Sequence, residues 1–406
     1  MTKLFFLIAF LLVINKFAAA QISILFDASK AETANNSDWI IDADTFNLGY
    51  NPAAYIGGHE ANAQRIPTPA QSGITSSTSQ NYWTGALSAW AVDAAKLGYH
   101  VETLPYNGLI TYGDATNPQD LANYTVYVIC EPNILFSASE KVAIINFVQN
   151  GGGLFIISDH NNSDRNGDGH DSPDIWNDLM QNNSIQVNPF GITFDYEFFS
   201  DNTTNIPNLP NNPLLHGSYG SVTSVEFYGG TSMSLDTVAN NTVKGVVYRS
   251  GSDNSKNLGV LCAYSKFGNG KIVALGDSSP ADDGTGDPND HLYDGWLLDA
   301  NGNHERLIMN ATIWLADPTT SISKVDIPKN IKVSTGNNTF SIMINTKNIA
   351  NDFQLDLYDM MGRKIIQRNH IAVNQVNHFF IDKDGVFLYV ISEKGRIYSR
   401  GKLLIR

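Results

Sequence analysis

The sequence predicts an α/β protein, a parallel sheet with helices on both faces, followed by a small C-terminal β-sandwich. Residues 124–130 and 154–158 are short, nearly unbroken apolar runs, as expected of strands buried on both faces. Helical patterns alternate with them, and strands alternating with helices favour a parallel sheet. Beyond residue 320 the helical pattern stops. Short alternating runs divided by turn residues take over, which is the pattern of a small sandwich.

Taken in order, residues 1–20 read as a signal peptide. Lys3 is followed by an apolar run over 4–14, too short to span a membrane, and Ala18-Ala19-Ala20 offers a small-residue cleavage site. The mature chain is expected to begin at Gln21 and to be secreted or held at the cell surface, and no later stretch reads as a membrane span. Residues 22–26 predict a first strand ending at Asp27, which at the carboxyl end of a parallel strand points toward the ligand crevice. The stretch to about residue 82 is too irregular to assign. Leu87, Ala91, Ala94 and Ala95 give helical spacing over 84–98, with Gly98 as a stop. Ser137 and Glu140 form a capping-box pattern that opens a helix closed by Phe147 and Val148. Gly268-Asn269-Gly270 between apolar runs at 258–264 and 271–275 predicts a β-hairpin, and residues 304–316 a last helix.

Charge divides the chain. Residues 21–319 hold 11 Lys and Arg against 33 Asp and Glu, a net of −22, whereas residues 320–406 hold 13 against 7, a net of +6. The expected domains are therefore 21–317 and 318–406. An acidic body lacks the cations that displace counterions from a polyanion, so nucleic acid is excluded as a partner. It suits cation binding, neutral glycans or solubility outside the cell. Cys130 and Cys262 lie in apolar strand-like runs and are expected as buried free thiols.

The densest functional signal runs from Asp159 to Asp171. Asp164, Asn166 and Asp168, with Gly169 at a sharp turn, fit the first half of a calcium-binding loop, and Asp171 would help complete the shell. The twelfth position is Ile175 rather than Glu, so the match is partial. Structural calcium, a catalytic metal and an empty Asx-rich turn are all consistent with it. Asp159 and His160 follow a strand end, where His160 would serve as general base or ligand and Asp159 would orient it. Asp277 ends a later strand and opens an acidic cluster with Asp282, Asp283, Asp287, Asp290, His291 and Asp294. His59-Glu60 and His304-Glu305 are weaker pairs. Trp83, Trp176 and Trp296 would line a sugar site or fill the core.

Two resemblances follow. The segments Asn-Tyr-Thr-Val-Tyr-Val-Ile from residue 123, Ser-Ala-Ser-Glu from residue 137, Phe-Val-Gln-Asn-Gly-Gly-Gly-Leu from residue 147 and Gly-Asn-Gly-Lys-Ile-Val-Ala-Leu-Gly-Asp-Ser from residue 268 resemble the class I glutamine amidotransferase-like superfamily, in its non-amidotransferase branches. The likeness implies a flavodoxin-like sheet. A nucleophilic Cys would sit after the strand at 154–158 in an amidotransferase, but Ser158-Asp159-His160 stands there, which argues against glutaminase chemistry. The tail, with Leu357-Tyr358-Asp359-Met360-Met361-Gly362-Arg363 and Lys402-Leu403-Leu404-Ile405-Arg406, resembles the type A sorting domain of the Bacteroidetes type IX secretion system. That implies the secretion machinery as a partner. The resulting expectation is a secreted, calcium-binding hydrolase of an extracellular glycan or other polymer, with His160, Asp159 and Asp277 at its centre. The alternative is a non-catalytic surface binding protein.

Overall fold

The computed structural model describes residues 21–34, 38–41, 64–285, 294–317, 331–336, 338–346, 353–359, 363–383, 385–393 and 396–405. The expected signal peptide, His59, Glu60, Asp287, Asp290 and His291 lie outside these residues. The chain forms two compact units, Met1–Pro318 and Thr319–Arg406.

The first unit begins with β1 (Ser23–Asp27), α1 (Ser88–Lys96), β2 (His100–Leu104), β3 (Val126–Cys130), α2 (Ala138–Gln149), β4 (Gly153–Ile157), α3 (Ser172–Gln181) and β5 (Ile192–Phe194). A run of short strands follows: β6 (Phe199–Thr203), β7 (His216–Gly217), β8 (Gly220–Ser221), β9 (Val225–Gly230), β10 (Met233–Leu235) and β11 (Lys244–Tyr248). The hairpin β12 (Val260–Phe267) and β13 (Gly270–Leu275) precedes α4 (Gly295–Leu298) and α5 (Asn303–Ala316). Nine strands make one sheet in the order β2-β1-β3-β4-β13-β12-β10-β5, with β11 also paired to β12.

The expected parallel sheet is half of what forms. Strands β2, β1, β3, β4 and β13 are mutually parallel, but β12, β10, β11 and β5 continue the sheet antiparallel. The cause is local. The two-residue connection Gly268-Asn269 leaves no room for a crossover, so β12 must run against β13.

Alternation along the central strands builds a core on each face. Ile24, Phe26, Val126, Val128, Phe155, Ile157, Val273 and Leu275 meet α1 and α5 on one side. On the other, Leu25, Tyr127, Ile129, Leu154, Ile156, Ile272 and Ala274 meet α2 and α3. This two-sided burial is why the central strands read as unbroken apolar runs. Helix α2 opens with the full capping box: Ser137 Oγ accepts from Glu140 N, and the Glu140 carboxylate accepts from Ser137 N. Cys130 and Cys262 are buried and unbonded. Among the described residues no helix is long and apolar enough to cross a membrane.

The second unit contains β14 (Ile331–Gly336), β15 (Thr339–Ile344), β16 (Phe353–Asp359), β17 (Lys364–Arg368), β18 (Val376–Phe380), β19 (Gly385–Glu393) and β20 (Arg396–Ile405). These make two antiparallel sheets, β14-β15-β18 and β17-β16-β19-β20. Phe340 and Ile342 of the first share one core with Leu355, Leu357 and Tyr389 of the second.

Candidate active site at the strand ends

Strands β1, β3, β4 and β13 run the same way, so the residues after them emerge at one end of the sheet: Asp27, Glu131, Ser158-Asp159-His160 and Asp277. Such an end is where open α/β sheets bind ligands.

Glu131 is the hub. It is fully buried and its φ of +48° places it in the left-handed region, an uncommon conformation for a non-glycine residue. Its backbone N–H donates to Ile157 O at 3.0 Å, which fixes the turn out of β3. Its carboxylate accepts from Trp39 Nε1 at 2.6 Å, Ser278 Oγ at 3.0 Å and Arg165 Nε at 3.2 Å. Arg165 also donates through Nη2 to Asp159 Oδ2 at 2.8 Å, so one guanidinium bridges two acids. Burial pushes the Glu131 carboxyl well above the usual range and the neighbouring Asp159 adds to this, while Arg165 opposes it.

His160 stands at the rim. Its Nδ1 lies 2.6 Å from Asn161 O and must therefore carry a proton, which leaves Nε2 as the lone-pair nitrogen of the neutral ring. That nitrogen is 3.6 Å from Asp159 Oδ2. The imidazole packs on Phe198, with ring centroids 4.1 Å apart and planes at 32°. Phe198 itself is 68 % exposed, and Tyr196 and Tyr228 are also exposed. Gly229, at φ +102°, lies beneath this pair. A Cβ there would come within 3.2 Å of Phe198 and 3.7 Å of His160.

Asp277 is at the same strand end but faces inward, fully buried. Its two oxygens accept from Tyr228 N at 2.6 Å and Ser279 N at 2.9 Å. Burial, then the Asp159 charge, pushes its carboxyl up to about 7. It has no face for a substrate; it holds Tyr228 and, through the backbone, Gly229 in place under His160.

The loop at 164–171 is not gathered as a calcium shell. Asp164 Oδ1 accepts from Gly167 N and Asp168 N, and its Oδ2 accepts from Gly169 N. Asn166 Nδ2 donates to Asn133 O and to Asp168 Oδ2 at 3.1 Å, while Asp168 Oδ1 accepts from His170 N at 2.9 Å. Asp171 caps α3, accepting from Asp174 N, and also accepts from Asn162 N. The oxygens a hard cation needs are thus turned to backbone N–H groups, the arrangement of a self-satisfied Asx turn. Among the described residues no three His, Cys, Asp or Glu side chains converge as a metal set. The loop folds Arg165 back over Glu131 and Asp159. Asp164→Ala is expected to lower stability by about 1–2 kcal/mol by orphaning three N–H groups, whereas a chelator should leave thermal melting of the intact protein unchanged. A chelator-induced drop in melting temperature would restore calcium to the loop.

The second acidic cluster does not join the site as a unit. Asp283 accepts from Ala89 N at 2.6 Å at the start of α1, and burial pushes it up to about 7. Asp294 caps α4. His304 is buried with both ring nitrogens used, Nδ1 by Gly295 O at 2.8 Å and Nε2 by Glu226 N at 2.9 Å. Trp83, Trp176 and Trp296 are all core residues. The residues missed from the sequence are Glu131, Trp39 and the bridging role of Arg165. Glu131 was findable, because it follows a buried strand just as Asp27, Asp159 and Asp277 do.

No protein-family model and no curated protein matches the chain. Similar solved structures include the mmIFT52 N-terminal domain, 12 % identical with a TM-score of 0.41, covering 74 % of this chain and all of that one. The cytoplasmic protein STM3548 from Salmonella typhimurium is 15 % identical with a TM-score of 0.35, covering 57 % and 88 %. A β-galactosidase from Rahnella sp. R3 is 12 % identical with a TM-score of 0.32, covering 89 % of this chain but 41 % of its own. At these scores the likenesses carry no argument about function.

Proposed function

We propose that the chain is an exported hydrolase acting on a neutral glycan or other extracellular polymer, with His160 as its general base. The observation that carries this reading is the His160–Asp159 arrangement: Nδ1 is held by a carbonyl, and Nε2 is left as the acceptor 3.6 Å from a carboxylate. A substrate water placed between them would give its proton to Nε2, and Asp159 would offset the charge of the resulting imidazolium. Arg165 holds Asp159 in position and Asp277 holds the backbone beneath the ring.

The acidic body, at −22 over residues 21–319, favours an uncharged or cationic polymer over a polyanion. Exposed Phe198, Tyr196 and Tyr228 beside His160 offer ring faces for the apolar side of a sugar. Kinship with the non-amidotransferase branches of the amidotransferase-like superfamily, in a flavodoxin-like arrangement, and a type IX sorting role for the tail remain part of the proposal. They are supported by the motifs and by the tail's separate compact β-unit.

A second reading, a surface binding protein, is favoured by one observation. Most carboxylate oxygens at the strand ends are already committed to internal donors. Assay of the purified protein against neutral glycans, esters and peptides separates the two. Turnover that depends on His160 supports the hydrolase; glycan binding without turnover supports the binding protein.

A further inference from the structure

The chain leaves β1, β3 and β4 at the same end of the sheet, and one side chain ties the three exits together. Asn133 is fully buried, two residues beyond Glu131. Its Nδ2 donates to Ala31 O at 2.9 Å, Glu131 O at 3.0 Å and Thr33 O at 3.2 Å, sharing two hydrogens among three carbonyls. Its Oδ1 accepts from Arg165 N at 3.1 Å. Its backbone N–H donates to Lys30 O at 2.8 Å, and its carbonyl accepts from Asn166 Nδ2. Carbonyls around the nitrogen and an N–H at the oxygen fix which way the amide points.

Two of the carbonyls it holds belong to strained residues. Ala31 has φ +53° and Glu131 φ +48°, and such backbone persists only where its surroundings fix it. An aspartate at 133 would set a second oxygen against three carbonyl oxygens. An apolar side chain would take the donor from those carbonyls and the acceptor from Arg165 N–H.

The bond to Arg165 N fixes where that residue leaves the chain. From there Arg165 Nη2 reaches Asp159 Oδ2 at 2.8 Å, and the same oxygen lies 3.6 Å from His160 Nε2.

We propose that Asn133 is a positioning residue of the strand-end site: its Oδ1 sets Arg165, and through Arg165 sets Asp159, against His160. Its effect on turnover rests on the hydrolase reading; its effect on Arg165 rests on the hydrogen bonds alone. A residue that merely stiffened the loops would, when lost, lower stability and leave Arg165 in place in the molecules that stay folded.

Asn133→Ser tests this in the full chain, because the shorter side chain withdraws the acceptor from Arg165 N–H while its hydroxyl can still donate to one carbonyl. The first readout is the rate at which phenylglyoxal, which condenses with guanidinium groups, labels Arg165 well below the melting temperature, followed by peptide mass. Arg65, paired with Glu102 of the edge strand β2 at 2.8 Å, is the control. Labelling of Arg165 should rise several-fold in the variant, and that of Arg65 should not. The second readout is turnover: kcat should fall about 10- to 100-fold with KM within about twofold of the wild type, the scale of a small misplacement away from the reacting atoms. Where the variant folds poorly, adding Ala31→Gly removes the steric cost of the left-handed backbone and should restore the melting temperature without restoring the protection of Arg165. Unchanged labelling of Arg165, or a rise shared equally by Arg65, would overturn the proposal. So would recovery of both readouts on adding Ala31→Gly, since loop strain alone would then explain them. A wild type without turnover on any substrate sinks the hydrolase reading and leaves the labelling to decide the role of Asn133.

Discussion

Arg165→Met is expected to cost about 3–5 kcal/mol of stability at pH 7, the largest effect of any single change at the site. The methionine keeps much of the apolar stem but removes the one cation shared by Glu131 and Asp159. Those acids would then face each other, with Glu131 fully buried and Asp159 nearly so. The deficit should depend on pH with a definite sign. Without Arg165 the buried Glu131 carboxyl is raised further in the folded state, so folding binds a proton and stability is regained as pH falls toward the ordinary carboxyl range. Chemical denaturation at pH 7 and pH 5 checks this: the gap between variant and wild type should narrow at pH 5. A gap constant with pH would mean that Arg165 acts through packing, and that the Glu131–Asp159 pair is not under electrostatic stress.

His160→Ala is expected to lower turnover about 10²–10⁴-fold, the usual contribution of a positioned general base. Because the ring also covers Phe198, the variant should bind substrate somewhat differently, so kcat and KM need to be resolved separately. A fall in kcat with little change in stability supports the base. His216→Ala, an exposed histidine whose Nδ1 meets Ser221 Oγ, serves as the control and should be unaffected. If both variants retain full activity, catalysis lies elsewhere and the binding reading gains.

Much of the first unit was legible because its signals are local or periodic. The capping box at Ser137 and Glu140, the turn at Gly268-Asn269 and the apolar runs of β3 and β4 each follow from neighbouring residues. The strands between β5 and β11 were not legible. They are two to six residues long and thick with Asn, Thr, Ser and Gly, so no period has room to develop. At the site, Asp159, His160 and Asp277 were located by one rule, that residues following buried parallel strands face the crevice. The roles of the loop residues were not, because they depend on how the loop folds back. Asp164 and Asp168 could have faced a cation or their own backbone, and only the folded turn decides between them. Arg165 in the same segment looked incidental until its reach to Glu131 and Asp159 was placed in three dimensions.

The neighbours of β13 carry a consequence for how the molecule comes into being. The strand pairs in parallel with β4, which lies more than a hundred residues earlier in the chain, and Asp277 and Ser278 follow directly after it. During synthesis β4 therefore waits with an unpaired edge, while Glu131, Asp159 and His160 are already made but lack the partners that complete them. The nascent α/β unit can close its sheet only when the hairpin of β12 and β13 has left the ribosome, so non-local pairing governs the last folding step. A chain halted before residue 270 would hold every acid of the β3 and β4 ends and still have no assembled centre.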